Sequence, residues 1–239
     1  MRTEVAIVLL LSLAQAAFYA VVSIIAKLTA GRPLSQQTAT LNPSLSPRPY
    51  LDLTLQLLGI FFALVPVLLA LYLLGPSRTE LGVPPFKPKF DLGWGTLLAA
   101  SIGIPGLLLV YAAARLGLNA KIIPEALRPV WWAVPVLIIA AIQNAILEEV
   151  IVVGYLITRL RELSLRTVVI VAVSALLRGS YHLYQGFGAF AGNAVMGVVF
   201  ALFFLRFKRV MPLIVAHGLL DIAAFVGYSV LPKGWLTWL

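Results

Sequence analysis

Cysteine is missing from the 239 residues, which excludes disulfides, thiolate metal sites, a cysteine nucleophile and S-lipidation together. Charge is scarce too: Asp, Glu, Lys and Arg make up 11% of the chain against 61% hydrophobic residues. A soluble domain carries about 25% charged residues, so the scarcity, with a mean hydropathy of +0.99, excludes an ordinary soluble fold. No fixed-period repeat is visible, which argues against an inverted-repeat transporter. No His-Glu-x-x-His zinc helix occurs either. The net charge of +9 is not a nucleic-acid signal. Lys and Arg sit at the ends of apolar runs, where they anchor and orient membrane spans, and no basic stripe interleaves with aromatics.

What is present is a series of apolar runs of membrane-crossing length. A span needs about 20 apolar residues, and on that criterion seven are expected: 5–26, 53–76, 92–114, 129–158, 167–184, 188–205 and 210–231. The sequence therefore predicts an all-α, polytopic membrane bundle. Arg2 ahead of an apolar stretch and Ala14-Gln15-Ala16 resembles a secretory signal. The run continues to Ile25, however, so an uncleaved first helix is expected. Gly31 to Tyr50, rich in Pro, Ser, Thr and Gln, reads as a flexible loop. Trp131, Trp132, Trp235 and Trp238 read as interfacial belt residues. Ten Lys/Arg fall on the side of the N-terminus and seven on the other, which predicts a cytoplasmic N-terminus by the positive-inside rule. The compact loops favour a bacterial plasma membrane.

Ionisable residues enter these spans in the C-terminal half alone. Glu148 and Glu149 interrupt a run from Pro129 to Thr158 that holds no other charge. An acidic side chain near mid-bilayer costs roughly 2.5–3.5 kcal/mol even on the lenient insertion scale, so the pair is expected to face a polar interior. Arg178 and His182 are i,i+4 and share one face of the fifth span; His217 and Asp221 are i,i+4 on the seventh. Consecutive residues point about 100° apart on a helix. One glutamate can thus face a cavity while the other pairs with a neighbouring helix. Residues 1–128 read as structural helices and loops, and 129–239 as the functional core. A buried Glu, His, His and Asp cluster has the parts for acid–base chemistry on water. A structural reading stands beside it: Glu149 with Arg178 as an ion pair, His217 with Asp221 as a structural pair, Tyr181 and Tyr184 as packing rather than the lining of a substrate groove, and Asn193 among small residues as helix–helix glue.

Glu148-Glu149-Val-Ile-Val-Val-Gly154, then His182, then His217-Gly-Leu-Leu-Asp221 resemble the signature of the CAAX protease and bacteriocin-processing (abortive-infection-like) family of intramembrane endopeptidases. The family pattern is Glu-Glu-x-x-x-Arg, Phe-x-x-x-His and His-x-x-x-Asn/Asp on separate helices, and the resemblance covers about residues 129–231. It implies an active site within the membrane among the C-terminal four spans, in which Glu148 and His182 activate water. His217 and Asp221 would steady the oxyanion, and Glu149 would be a supporting carboxylate. Arg178 and Asn193 are the expected supporting residues. Glu148, His182 and His217 would be the ligands if a divalent metal is used; the resemblance implies no certain cofactor and leaves a divalent metal open. The expected partners are a peptide or protein substrate at the membrane and lipid. Two positions depart from the pattern: the arginine is Val153, and the phenylalanine four before His182 is Arg178. Arg178 is expected to supply the missing cation from the neighbouring helix. The alternative is an inactive family member acting as a bacteriocin-immunity or scaffold protein; a proton-coupled transporter is a third.

Overall fold

Long apolar runs punctuated by proline and glycine become helices in the computed structural model, which describes residues 1–82 and 85–230. Ten are α-helical among the described residues: α1 (Arg2–Leu10), α2 (Leu13–Leu28), α3 (Pro49–Ala63), α4 (Val65–Leu74), α5 (Pro88–Arg115), α6 (Ala133–Glu148), α7 (Leu156–Glu162), α8 (Thr167–Tyr181), α9 (Phe187–Phe207) and α10 (Met211–Val230). A π-helical segment, Glu149–Tyr155, joins α6 to α7. The protein is a polytopic helical membrane bundle. Among the described residues, five helical stretches are long and apolar enough to cross a membrane, or six with the bent α1–α2 pair.

The seven expected spans change in three places. The first bends by 56° between α1 and α2, because the Ser12 hydroxyl bonds back to the Val8 carbonyl at 2.7 Å and competes with the helical ladder. The second breaks at Leu64, ahead of Pro66, which has no N–H to give. The fifth is shorter than 167–184: α8 has 15 residues, about 22 Å at 1.5 Å per residue, against a hydrocarbon core of about 30 Å. The helix ends at Tyr181, and His182 just after it lies 3.9 Å from Glu148. The seventh span is described to Val230, and Trp235 and Trp238 lie outside the described residues.

Other expectations are corrected as well. Gly31–Tyr50 is not a featureless linker: Thr38–Thr40 (β1) pairs in parallel with Lys121–Ile123 (β2), Thr38 opposite Lys121. Helices α3 and α5 begin earlier than expected, so their first turns include Asp52 and Asp91, both fully buried. Asp91 holds Arg209 through two bonds of 2.8 and 2.7 Å and caps its own helix through the Lys87 N–H. Of the tryptophan pair, Trp131 is exposed as a belt residue should be, whereas Trp132 is buried at 2% exposure.

The central element is α6 with its π segment: α8, α9, α10, α3 and α4 all pack on this stretch, and α5 packs along α10. The loop between α5 and α6 ties this core to the turn after α8. Asn119 Oδ1 accepts the Gly188 and Ala189 N–H groups at 3.0 and 3.2 Å, capping α9 from outside its own chain segment. Gly186 sits at φ +127°, and a Cβ there would come within 2.6 Å of Asn119. Only glycine fits this close approach. Asn119→Ala is expected to cost about 1–2 kcal/mol, the range for a lost helix cap. A lowered Tm with turnover retained per folded molecule would be the supporting result.

Candidate active site

The last turn of α8 faces the junction of α6 and the π segment, and α10 closes the third side. Arg178, Tyr181 and His182 follow i, i+3 and i+4 on α8, so one helical face delivers all three. Arg178 Nη2 donates to Glu149 Oε1 at 2.6 Å, and its Nη1 lies 3.5 Å from Glu148 Oε2. The Tyr181 hydroxyl donates to Glu148 Oε2 at 2.6 Å, while its ring packs on the His182 imidazole with centroids 4.8 Å apart. His182 Nε2 stands 3.9 Å from Glu148 Oε2.

On α10, His217 Nδ1 lies 2.6 Å from Glu149 Oε1. That carboxylate oxygen already accepts from Arg178 and has no hydrogen to give, so Nδ1 carries one. Nε2 faces Asp221 Oδ2 at 3.6 Å, and Asp221 in turn receives a hydrogen bond from Asn144, one turn before Glu148. At the end of α8, the Gln185 amide lies 3.2 Å from His182 Nδ1. With Gln185 donating, His182 holds its hydrogen on Nε2, the nitrogen that faces Glu148.

Sequence and packing explain why these groups meet. The π segment inserts an extra residue per turn at Glu149, a deformation that recurs at functional sites. It lets Glu148 and Glu149 address different partners. Gly197 on α9 has no side chain where a Cβ would stand 2.8 Å from Ala175 and 3.3 Å from Arg178; the helices close there and leave room for the guanidinium. Arg178 is fully buried, its charge 5.3 Å over the Phe200 ring. Glu149 is fully buried, whereas Glu148 keeps 8% exposure. The buried side-chain nitrogens and oxygens without a hydrogen-bond partner among the described residues are Glu149 Oε2, Arg178 Nε and Nη1, and His182 Nε2. All four belong to this one cluster. Such orphans are costly, and their convergence marks a site built to receive a polar group.

The structure thus brings together Glu148, Glu149, Arg178, His182, His217 and Asp221. Asn193, expected to support them, spends its amide on the Ala189 carbonyl of its own helix at 3.0 Å. Two members go beyond the sequence reading. Tyr181 reads as packing from sequence, although its i+3 spacing from Arg178 places it on the charged face; Asn144 carries the weaker signal of lying i−4 from Glu148.

Arg178 weighs against a metal ion in this arrangement. Glu148, Glu149 and His217 offer ligand atoms within 4.8 Å of one another, and His182 of the expected set is not among them. Glu149 Oε1 and His217 Nδ1 are already committed to each other and to Arg178. Two unit charges 4 Å apart interact by about 4 kcal/mol at an effective dielectric near 20, and a divalent ion beside the guanidinium would double that repulsion.

Comparison with known proteins finds a family similar to part of the chain. Residues 130–223 match the model of the family described as Type II CAAX prenyl endopeptidase Rce1-like. The matched stretch contains every member of the cluster, from Asn144 to Asp221, and is similar to that family. No curated protein and no solved structure matches the chain.

Proposed function

We propose that this chain, Rce1-like over residues 130–223, is an intramembrane endopeptidase that hydrolyses a peptide bond with water activated by Glu148 and His182. The observation that carries the reading is the 3.9 Å gap between Glu148 Oε2 and His182 Nε2. It is too wide for a direct hydrogen bond and suits a bridging water. His182 donates to the water oxygen and Glu148 takes its proton. Attack on the substrate carbonyl then builds an oxyanion beside His217, which Glu149 orients from one side and Asp221 from the other. Glu148 returns the proton to the departing amine. The two glutamates thus divide the work, with Glu148 moving protons and Glu149 holding Arg178 and His217.

The substrate is a peptide or protein segment at the membrane, with a prenylated C-terminal tail as the family-level precedent. The N-terminus lies in the cytoplasm, in keeping with the basic loops at that end, and the membrane is a bacterial plasma membrane. The test is turnover of a quenched-fluorescent peptide library, lipidated peptides included, by purified protein in detergent. Cleavage that survives exhaustive chelation supports glutamate/histidine catalysis. Cleavage lost on chelation and restored by a divalent metal overturns the metal-free mechanism. A cooperatively folded protein that cleaves no peptide overturns the endopeptidase reading in favour of a non-catalytic membrane protein.

A further inference from the structure

We infer that Tyr181 is a positioning residue for catalysis, fixing the glutamate that activates water and the histidine that holds it in one rigid unit. The inference rests on the endopeptidase reading and deepens it. Tyr181 is 5% exposed and touches both partners of the 3.9 Å gap. Its hydroxyl donates to Glu148 Oε2 at 2.6 Å, within the range of a short, charge-assisted O–H···O⁻ bond. Its ring lies against the His182 imidazole at 4.8 Å and 46°.

The neighbouring side chains of the cluster do not do both. Arg178 reaches Glu148 only at 3.5 Å through Nη1 and is held by Glu149 through Nη2. Gln185 bonds to His182 from the turn after α8, on the side away from Glu148. A glutamate side chain has three rotatable bonds, and fixing them in advance keeps the reacting geometry within the narrow limits that proximity requires. The hydroxyl takes no part in bond making or breaking; one carboxylate oxygen is pinned and the carboxylate plane is set.

Tyr181→Phe keeps the ring on His182 and removes the pin. The expected result, with the best peptide from the library, is a fall in kcat of ~10–100-fold, the scale of a misplaced catalytic group, with KM unchanged. A residue that only stabilised the fold would lower Tm and the active fraction without splitting kcat from KM. The contact itself is read without activity, by Tm values of Tyr181→Phe, Glu148→Ala and the double variant. Phenylalanine should lower Tm in the wild-type background and do nothing further in the Glu148→Ala background. If the wild type cleaves and Tyr181→Phe matches its kcat, the inference is overturned while the endopeptidase reading stands. Strictly additive Tm losses overturn the contact. A wild type that cleaves nothing overturns the endopeptidase reading and the positioning role together.

Discussion

Glu148→Gln is expected to lower kcat by about 10²–10⁴-fold, the usual contribution of a general acid–base group, in a protein that still folds. Glutamine has the same length, and its carbonyl oxygen can still accept from Tyr181. What it loses is the capacity to take a proton. Glu149→Gln is isosteric in the same way, yet the outcome should differ. Glu149 Oε1 serves Arg178 and His217 at once, both at 2.6 Å, in surroundings with no exposure. Removing that charge leaves the buried guanidinium only the longer 3.5 Å pairing with Glu148, and breaking a buried ion pair costs about 3–5 kcal/mol. The pair should therefore separate: Glu148→Gln gives a folded, inactive protein, and Glu149→Gln gives a destabilised one. Turnover per folded molecule and Tm, measured on both variants in one detergent, make the comparison. Equal losses of Tm, or full turnover by Glu148→Gln, would sink the division of roles.

This asymmetry also explains what could be read from the sequence. Charges inside apolar runs are conspicuous because the membrane penalises them, and i,i+4 spacing alone puts Arg178 with His182 and His217 with Asp221. The partner of each glutamate is less accessible. Their roles depend on the π segment, whose extra residue per turn has no signature in Glu149-Val-Ile-Val-Val-Gly-Tyr155. Tyr181 and Asn144 are ordinary residues in a helix, and only the fold aims them at carboxylates. The same limit applies outside the site. Serine back-bonding at Ser12, the end of α8 at Tyr181 and the pairing of Thr38–Thr40 with Lys121–Ile123 all depend on contacts that hydropathy does not register. The helical, membrane-spanning class followed from apolar length alone, because the bilayer fixes how many residues a crossing needs.

Arg178 provides the second large effect, since it stands where the family pattern has phenylalanine, while Val153 stands where the pattern has arginine. Val153 is fully buried and lies i,i+4 from Glu149. Helix α8 packs directly on the π segment there, with the Ser174 hydroxyl on the Val152 carbonyl at 3.0 Å, one turn before Arg178. The family pattern would thus bring the guanidinium to Glu149 from its own helical segment, and this chain brings it from α8. Arg178→Phe alone strips the cation from two buried glutamates, and the cost of about 3–5 kcal/mol for a broken buried pair is a large share of a stability of about 5–15 kcal/mol. Little folded protein is expected. Val153→Arg alone forces a second arginine into a fully buried position, where overpacking costs about 1–3 kcal/mol. The double variant, Arg178→Phe with Val153→Arg, restores the family pattern at both positions and should recover part of the Tm and of the turnover lost by Arg178→Phe. Such non-additivity is what an exchanged charge requires. If the double variant is no better than Arg178→Phe, or if Arg178→Phe folds and cleaves like wild type, the arginine has not been relocated, and Glu149 must be neutralised by His217 without it.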